Sequence, residues 1–181
     1  MAIHLDLERA RLNGVFGFAI LAMLLGLCLG LSLVLLNNPH KKLQRAVFET
    51  AERVHTYYRD RPGYWKLSTE SAHSDNLLRD DMLQYKDYDV QIGQGAEGSA
   101  GLPSDMSFDI TLKNLSKSAC ISLSEMSLKE QDKLLLMKIS IINSNGSTEF
   151  SWGEEPKLPI EKYSARKFCQ NGGNIIMWTF Q

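Results

Sequence analysis

The uninterrupted apolar stretch at residues 15–36 constrains this chain more than any other feature of its sequence. It holds no charged residue, and at roughly 1.5 Å per residue a helix of that length crosses a hydrocarbon core of about 30 Å. A cleaved secretory signal would have a shorter apolar region, of about 7 to 15 residues, followed by a small-residue cleavage site. Here Leu35, Leu36, Asn37, Asn38 and Pro39 follow instead. A helix apolar on every side for this length is uncharacteristic of a soluble core, so the expectation is a retained membrane-spanning helix.

With 181 residues in all, the chain has room for that segment and one domain of ordinary size. Arg9 and Arg11 precede the stretch, whereas Lys41, Lys42, Arg45 and Arg53 follow it. Taken literally, the positive-inside rule puts the C-terminal part in the cytoplasm. The later charges, however, alternate with an apolar stripe, Leu43, Val47, Ala51, Val54 and Tyr58, whose spacing is that of an amphipathic helix. We therefore read a helix continuing outward over residues 37–61, kinked or restarted at Pro39 and terminated by Arg61-Pro62-Gly63, with an extracytoplasmic domain over 62–181. The net charge of −1 gives no support for nucleic acid as a partner.

Residues 64–103 read as surface loop with one short strand at the alternating segment 87–92. Beyond it the pattern sharpens. Phe108, Ile110 and Leu112 alternate with polar residues as in a strand buried on one face, and residues 116–125 carry Ala119, Cys120 and Leu123 at helical spacing. Residues 134–142 and 148–152 flank the turn-rich Asn143-Ser-Asn-Gly-Ser147 and predict a hairpin; 160–169 reads as a short helix or turn, and 175–180 as a final edge strand. The expected fold is α+β: a long N-terminal helix and an antiparallel sheet of about four strands.

Of the three cysteines, Cys28 lies in the apolar stretch. If the remainder lies outside the cytoplasm, Cys120 and Cys169 have one possible disulfide pairing. A zinc site would favour close CxxC or HxxxH spacing, which is missing here. His4, His40, His55 and His73 are scattered without ligand spacing, the serines lie in neither GxSxG nor SxxK, and Asp80-Asp81 and Glu154-Glu155 read as solvated turns. No catalytic residue, metal site or cofactor is expected, and the chain reads as noncatalytic. For Tyr57-Tyr58, Tyr64-Trp65, Trp152 and Trp178, packing between helix and sheet accounts for most and a ligand or subunit contact for the rest.

Two segments carry a resemblance. "FDITLKNLSKSACISL" leads a strand into a helix bearing the first cysteine, and "KFCQNGGNIIMWTF" places the second before a glycine turn and closing strand. With the apolar N-terminus, these resemble the type IV pilins, specifically the class B pilins of the PilS kind. The resemblance implies a pilin-like head, an inner-membrane precursor, and packing of apolar helices into a filament core. Its implied partners are other pilin subunits, the inner-membrane assembly machinery, a prepilin peptidase and the lipid bilayer.

Pilin precursors carry a glycine just before the peptidase cut and a glutamate at the fifth mature position. "RLNGVFGFAILA" offers a cut between Gly14 and Val15, leaving residues 1–14 as a leader, or between Gly17 and Phe18. The fifth residue would be Ala19 or Ala22, neither of them acidic. A carboxylate in a bilayer is costly, and in this family it is thought to offset that cost by pairing with a neighbouring subunit's amine. Its loss points to a minor, tip or initiating subunit, or to a chain that is never processed.

Overall fold

A computed structural model describes residues 38–83, 88–95, 103–125, 136–153 and 155–181, together with Met23. The chain divides into two units, residues 1–39 and 40–181, and the second carries the elements described below apart from Pro39, the first residue of the first helix.

Helix α1 runs over Pro39–Tyr58. Proline is tolerated at the first helical position, where its missing N–H would have had no partner. All five residues of the expected stripe, Leu43, Val47, Ala51, Val54 and Tyr58, are buried, but Gln44, Ala46, Phe48 and Thr50 are buried as well, so the covered face is wider than the stripe alone. Lys41, Lys42, Arg45, Glu52 and Arg53 stay exposed. The helix therefore has one charged side.

This corrects the membrane expectation. Among the described residues no helix is long and apolar enough to cross a membrane. The long helix described is amphipathic rather than apolar all round, and residues 15–36, apart from Met23, lie outside the described residues. Neither a membrane-spanning helix running into the head nor a single-pass inner-membrane placement is carried forward.

The α1 helix ends at Tyr58, ahead of the Arg61-Pro62-Gly63 terminator, where Arg61 N–H donates to the Tyr58 carbonyl. Gly63 has a φ of +130°, and a Cβ there would lie 2.3 Å from the Asp105 carbonyl oxygen. Only glycine lets the two backbones approach so that Tyr64 N–H can donate to that oxygen at 2.8 Å.

The segment read mostly as loop contains two short helices, α2 (Thr69–Ser74) and α3 (Asp80–Leu83), and the short strand expected at 87–92 is present as β1 (Asp89–Gln94). Ser68 caps α2 reciprocally with Ser71. A 3-10 turn, Ser104–Met106, leads into β2 (Phe108–Leu115). Then follow α4 (Lys117–Ser124), β3 (Leu136–Asn143), β4 (Gly146–Ser151), α5 (Lys162–Phe168) and β5 (Asn174–Phe180). The predicted hairpin is present as β3–β4.

The sheet has five strands in the order β1-β2-β5-β3-β4, every pair antiparallel. Two expectations change here. β1 adds a fifth strand by pairing with β2, and β5 lies at the centre rather than the edge. Trp178 stands opposite Ile110 on one side and Ile139 on the other, and Ile176 opposite Leu112 and Ile141. These side chains, with Phe108, Phe150 and Phe180, are fully or almost fully buried in one core with the apolar face of α1. Burying each contributes roughly 1.5–3 kcal/mol. Phe48 of α1 meets Phe180 edge-on at 5.8 Å, and Phe108 stacks on Phe180 at 5.2 Å.

Candidate functional site

The two cysteines outside the apolar stretch are joined. Cys120, in α4, and Cys169, directly after α5, form a disulfide with Cα atoms 5.9 Å apart. Local chemistry positions both ends. Ser116 caps α4 by accepting from Ala119 N–H, while Ala165 and the Cys120 and Cys169 side chains are buried. Past Cys169 the turn is held by Asn174, which is fully buried and makes three hydrogen bonds. Its side-chain amide donates to the Leu115 carbonyl at 3.0 Å and to the Gln170 carbonyl at 2.9 Å, and its oxygen accepts from Gln170 N–H at 2.8 Å. The crosslink thus lies at the point where the chain turns into its central strand.

The other end of α4 is held by α1. Gln44 Nε2 donates to the Leu123 carbonyl at 3.0 Å and to the Glu125 carbonyl at 2.9 Å, and Lys41 Nζ reaches Glu125 at 3.1 Å. These are carbonyls that the end of a helix leaves without partners of its own.

The candidate peptidase positions, Gly14, Val15, Gly17 and Phe18, lie outside the described residues, as does Cys28.

The aromatic residues divide between core and surface. Trp178 is buried in the core, whereas Trp65 is 64% exposed with the Lys66 ammonium 4.2 Å from its ring centre. Trp152 is partly exposed, and its indole N–H donates to the Leu136 carbonyl. Tyr163 is exposed too. Exposed aromatics of this kind are common anchors in protein interfaces.

Two grooves open beside α1. One, of about 510 Å3, is lined by Glu49, Glu52, Arg53, Tyr57, Asn76 and Leu77. Its charges are mixed, and Glu49 is engaged by Arg79 at 3.2 Å. The second, of about 470 Å3, lies at the C-terminal end of the helix and includes His55, Tyr58, Arg59, Arg61, Tyr64 and Met106. There His55 Nδ1 lies 3.0 Å from the Tyr64 hydroxyl, and the Arg61 guanidinium sits 4.0 Å from the Tyr57 ring centre. Burial pushes the Tyr58 and Tyr64 hydroxyls above the usual phenol range, which keeps them protonated.

A polar cluster occupies the sheet residues that alternate with the apolar core. Thr179 donates to Asp109 at 2.6 Å, and Lys138 pairs with Glu149 at 2.9 Å. Thr179, standing opposite both Asp109 and Lys138, lies between the two charges. Sequence reading missed this cluster and the basic groove. "RVHTYYRDRPGYW", residues 53–65, does carry a signal for the groove, because basic and aromatic residues interleave there.

Among the described residues no group of three or more His, Cys, Asp or Glu is placed to hold a metal ion. No protein-family model matches this chain, and no curated protein matches it.

Proposed function

We propose that the chain is a noncatalytic structural subunit of a type IV pilus or a related conjugation or secretion apparatus, of the class B pilin kind. The observation that carries this reading is the Cys120–Cys169 crosslink, set just before the last strand of an antiparallel sheet that packs on a long amphipathic helix. The two segments bearing the resemblance contribute the two ends of that crosslink. In this reading the apolar segment 15–36 is the assembling element, burying itself against the same segment of other subunits. The exposed Trp65, Trp152 and Tyr163 are available for contacts between heads.

A specific observation favours a second reading. The fifth position after either candidate cut is alanine, so the carboxylate that would pair with a neighbour's amine is missing. An accessory protein that is never cleaved or polymerised, and that acts through its head on a partner, needs no such carboxylate. Mapping the N-terminus of the mature protein with and without a prepilin peptidase separates the two. A new N-terminus at Val15 or Phe18 only when the peptidase is present supports the subunit; an intact Met1 in both samples overturns it.

A further inference from the structure

We infer that the groove at the C-terminal end of α1 binds a small organic anion: a carboxylate or phosphate group carried on an apolar or aromatic body. This goes beyond the filament reading and does not depend on it.

The ionisable side chains lining this groove are His55, Arg59, Arg61 and the two phenols Tyr58 and Tyr64; among the described residues no Asp or Glu lines it, and the anionic group at its rim is the backbone carboxylate of Gln181, the last residue of the sequence. No hydrogen bond or ion pair joins the Arg59 side chain to another described residue. A cation at the end of a helix offsets the helix dipole, and that alone would account for Arg59. It would not account for the rest of the arrangement. Arg61 is held against the faces of Tyr57 and Tyr58, at 4.0 and 5.1 Å, which limits the freedom its guanidinium must give up on meeting a ligand. His55 is fixed by the Tyr64 hydroxyl, and Tyr64 is fixed by its own burial and by the backbone bond that Gly63 permits.

The groove therefore presents two guanidinium groups beside the exposed Met106 and the hydroxyl-bearing rims of the otherwise buried Tyr58 and Tyr64, in a volume of about 470 Å3, within the usual range for small ligands. Planar guanidinium forks match carboxylate and phosphate oxygens, while the exposed Met106 side chain matches an apolar body. Asp75 is near enough to act on the Tyr58 hydroxyl, but it does not line the groove.

The test is calorimetric titration of the full chain with phenyl phosphate and with phenylacetate, with benzyl alcohol as the uncharged control. Saturable binding of at least one anion is expected, weakening as salt is raised, with none for the alcohol. The Arg59→Gln/Arg61→Gln double variant, checked for an unchanged circular dichroism spectrum and thermal midpoint, should weaken binding about tenfold or more, since charged hydrogen bonds are at stake. If the double variant does not fold, Arg59→Gln alone carries the test, because that side chain makes no bond to another described residue. Saturation by phenyl phosphate alone assigns a phosphate ligand, and saturation by phenylacetate alone a carboxylate. The proposal is overturned by no saturable heat from either anion at millimolar concentration, by equal binding of the alcohol, or by unchanged affinity in the variant that folds.

Discussion

Gln44 is the residue whose role is least visible from its neighbours in the chain. It follows Leu43 in the apolar stripe and is buried, yet it is polar, and the partners that make this tolerable are the Leu123 and Glu125 carbonyls. Burying an amide costs free energy unless its hydrogen bonds are met, and here both are met by the end of another helix. Gln44→Met keeps the length of the side chain and removes the donor. It should lower stability by about 1–3 kcal/mol, read as a reduced urea midpoint at unchanged slope. A midpoint equal to that of the parent would show that other groups supply the carbonyls. Tyr64 makes a second residue-scale prediction. Its hydroxyl is pushed above the ordinary 10.0 by burial. The unfolded chain therefore ionises first, so the native state keeps its full stability below about pH 10 and loses it as pH rises through the native value. The phenolate absorbance of Tyr64 should appear late and accompany alkaline unfolding. Tyr64→Phe should flatten that pH dependence, leaving the part due to Tyr58, which burial shifts in the same direction.

Elements were legible in the sequence where their own residues set the period. The α1 stripe, the alternation of Phe108, Ile110 and Leu112, and the Asn143–Ser147 turn were each read from adjacent residues, and each is found. β1 was only half legible, because its burial pattern is weak: Ile92 alone is buried among its residues. What makes it a strand is partnership, with β2 on one side and, on the other, Thr69, whose hydroxyl both accepts from Ile92 N–H and donates to its carbonyl. That contact, with the Gln94 N–H bond to the Leu67 carbonyl, covers part of an edge that would otherwise invite another strand. At the opposite edge, Ser151 exchanges bonds with Pro156 and Leu158. The disulfide acts at this scale too, closing a sequence separation of 49 between α4 and the end of α5. Replacing both cysteines by alanine should lower stability by about 4 kcal/mol or less, the loop-entropy value for a crosslink of that span. A denaturation midpoint unchanged by the double substitution would show that Asn174 and the core alone hold the turn.

At the scale of the whole molecule, the strand order was not legible at all. Nothing local to residues 174–180 distinguishes an edge strand from a central one, since both are apolar on the core side, and the choice depends on pairing with β2 and β3 far back in the chain. The basic groove was hidden for a related reason. Its residues are close in sequence except Met106 and Gln181, and the Gly63–Asp105 approach brings the neighbour of Met106 against the end of α1. The order β1-β2-β5-β3-β4 also carries a consequence for synthesis. As the chain leaves the ribosome, β1 with β2 and β3 with β4 can form two separate ribbons, but nothing links them until residues 174–180 have emerged. Two-stranded ribbons are marginal in water, so most of the sheet waits on its last-made strand. A ribosome that stalls or terminates before Asn174 would release a chain with both inner strand edges unpaired, a ready substrate for chaperones or proteases.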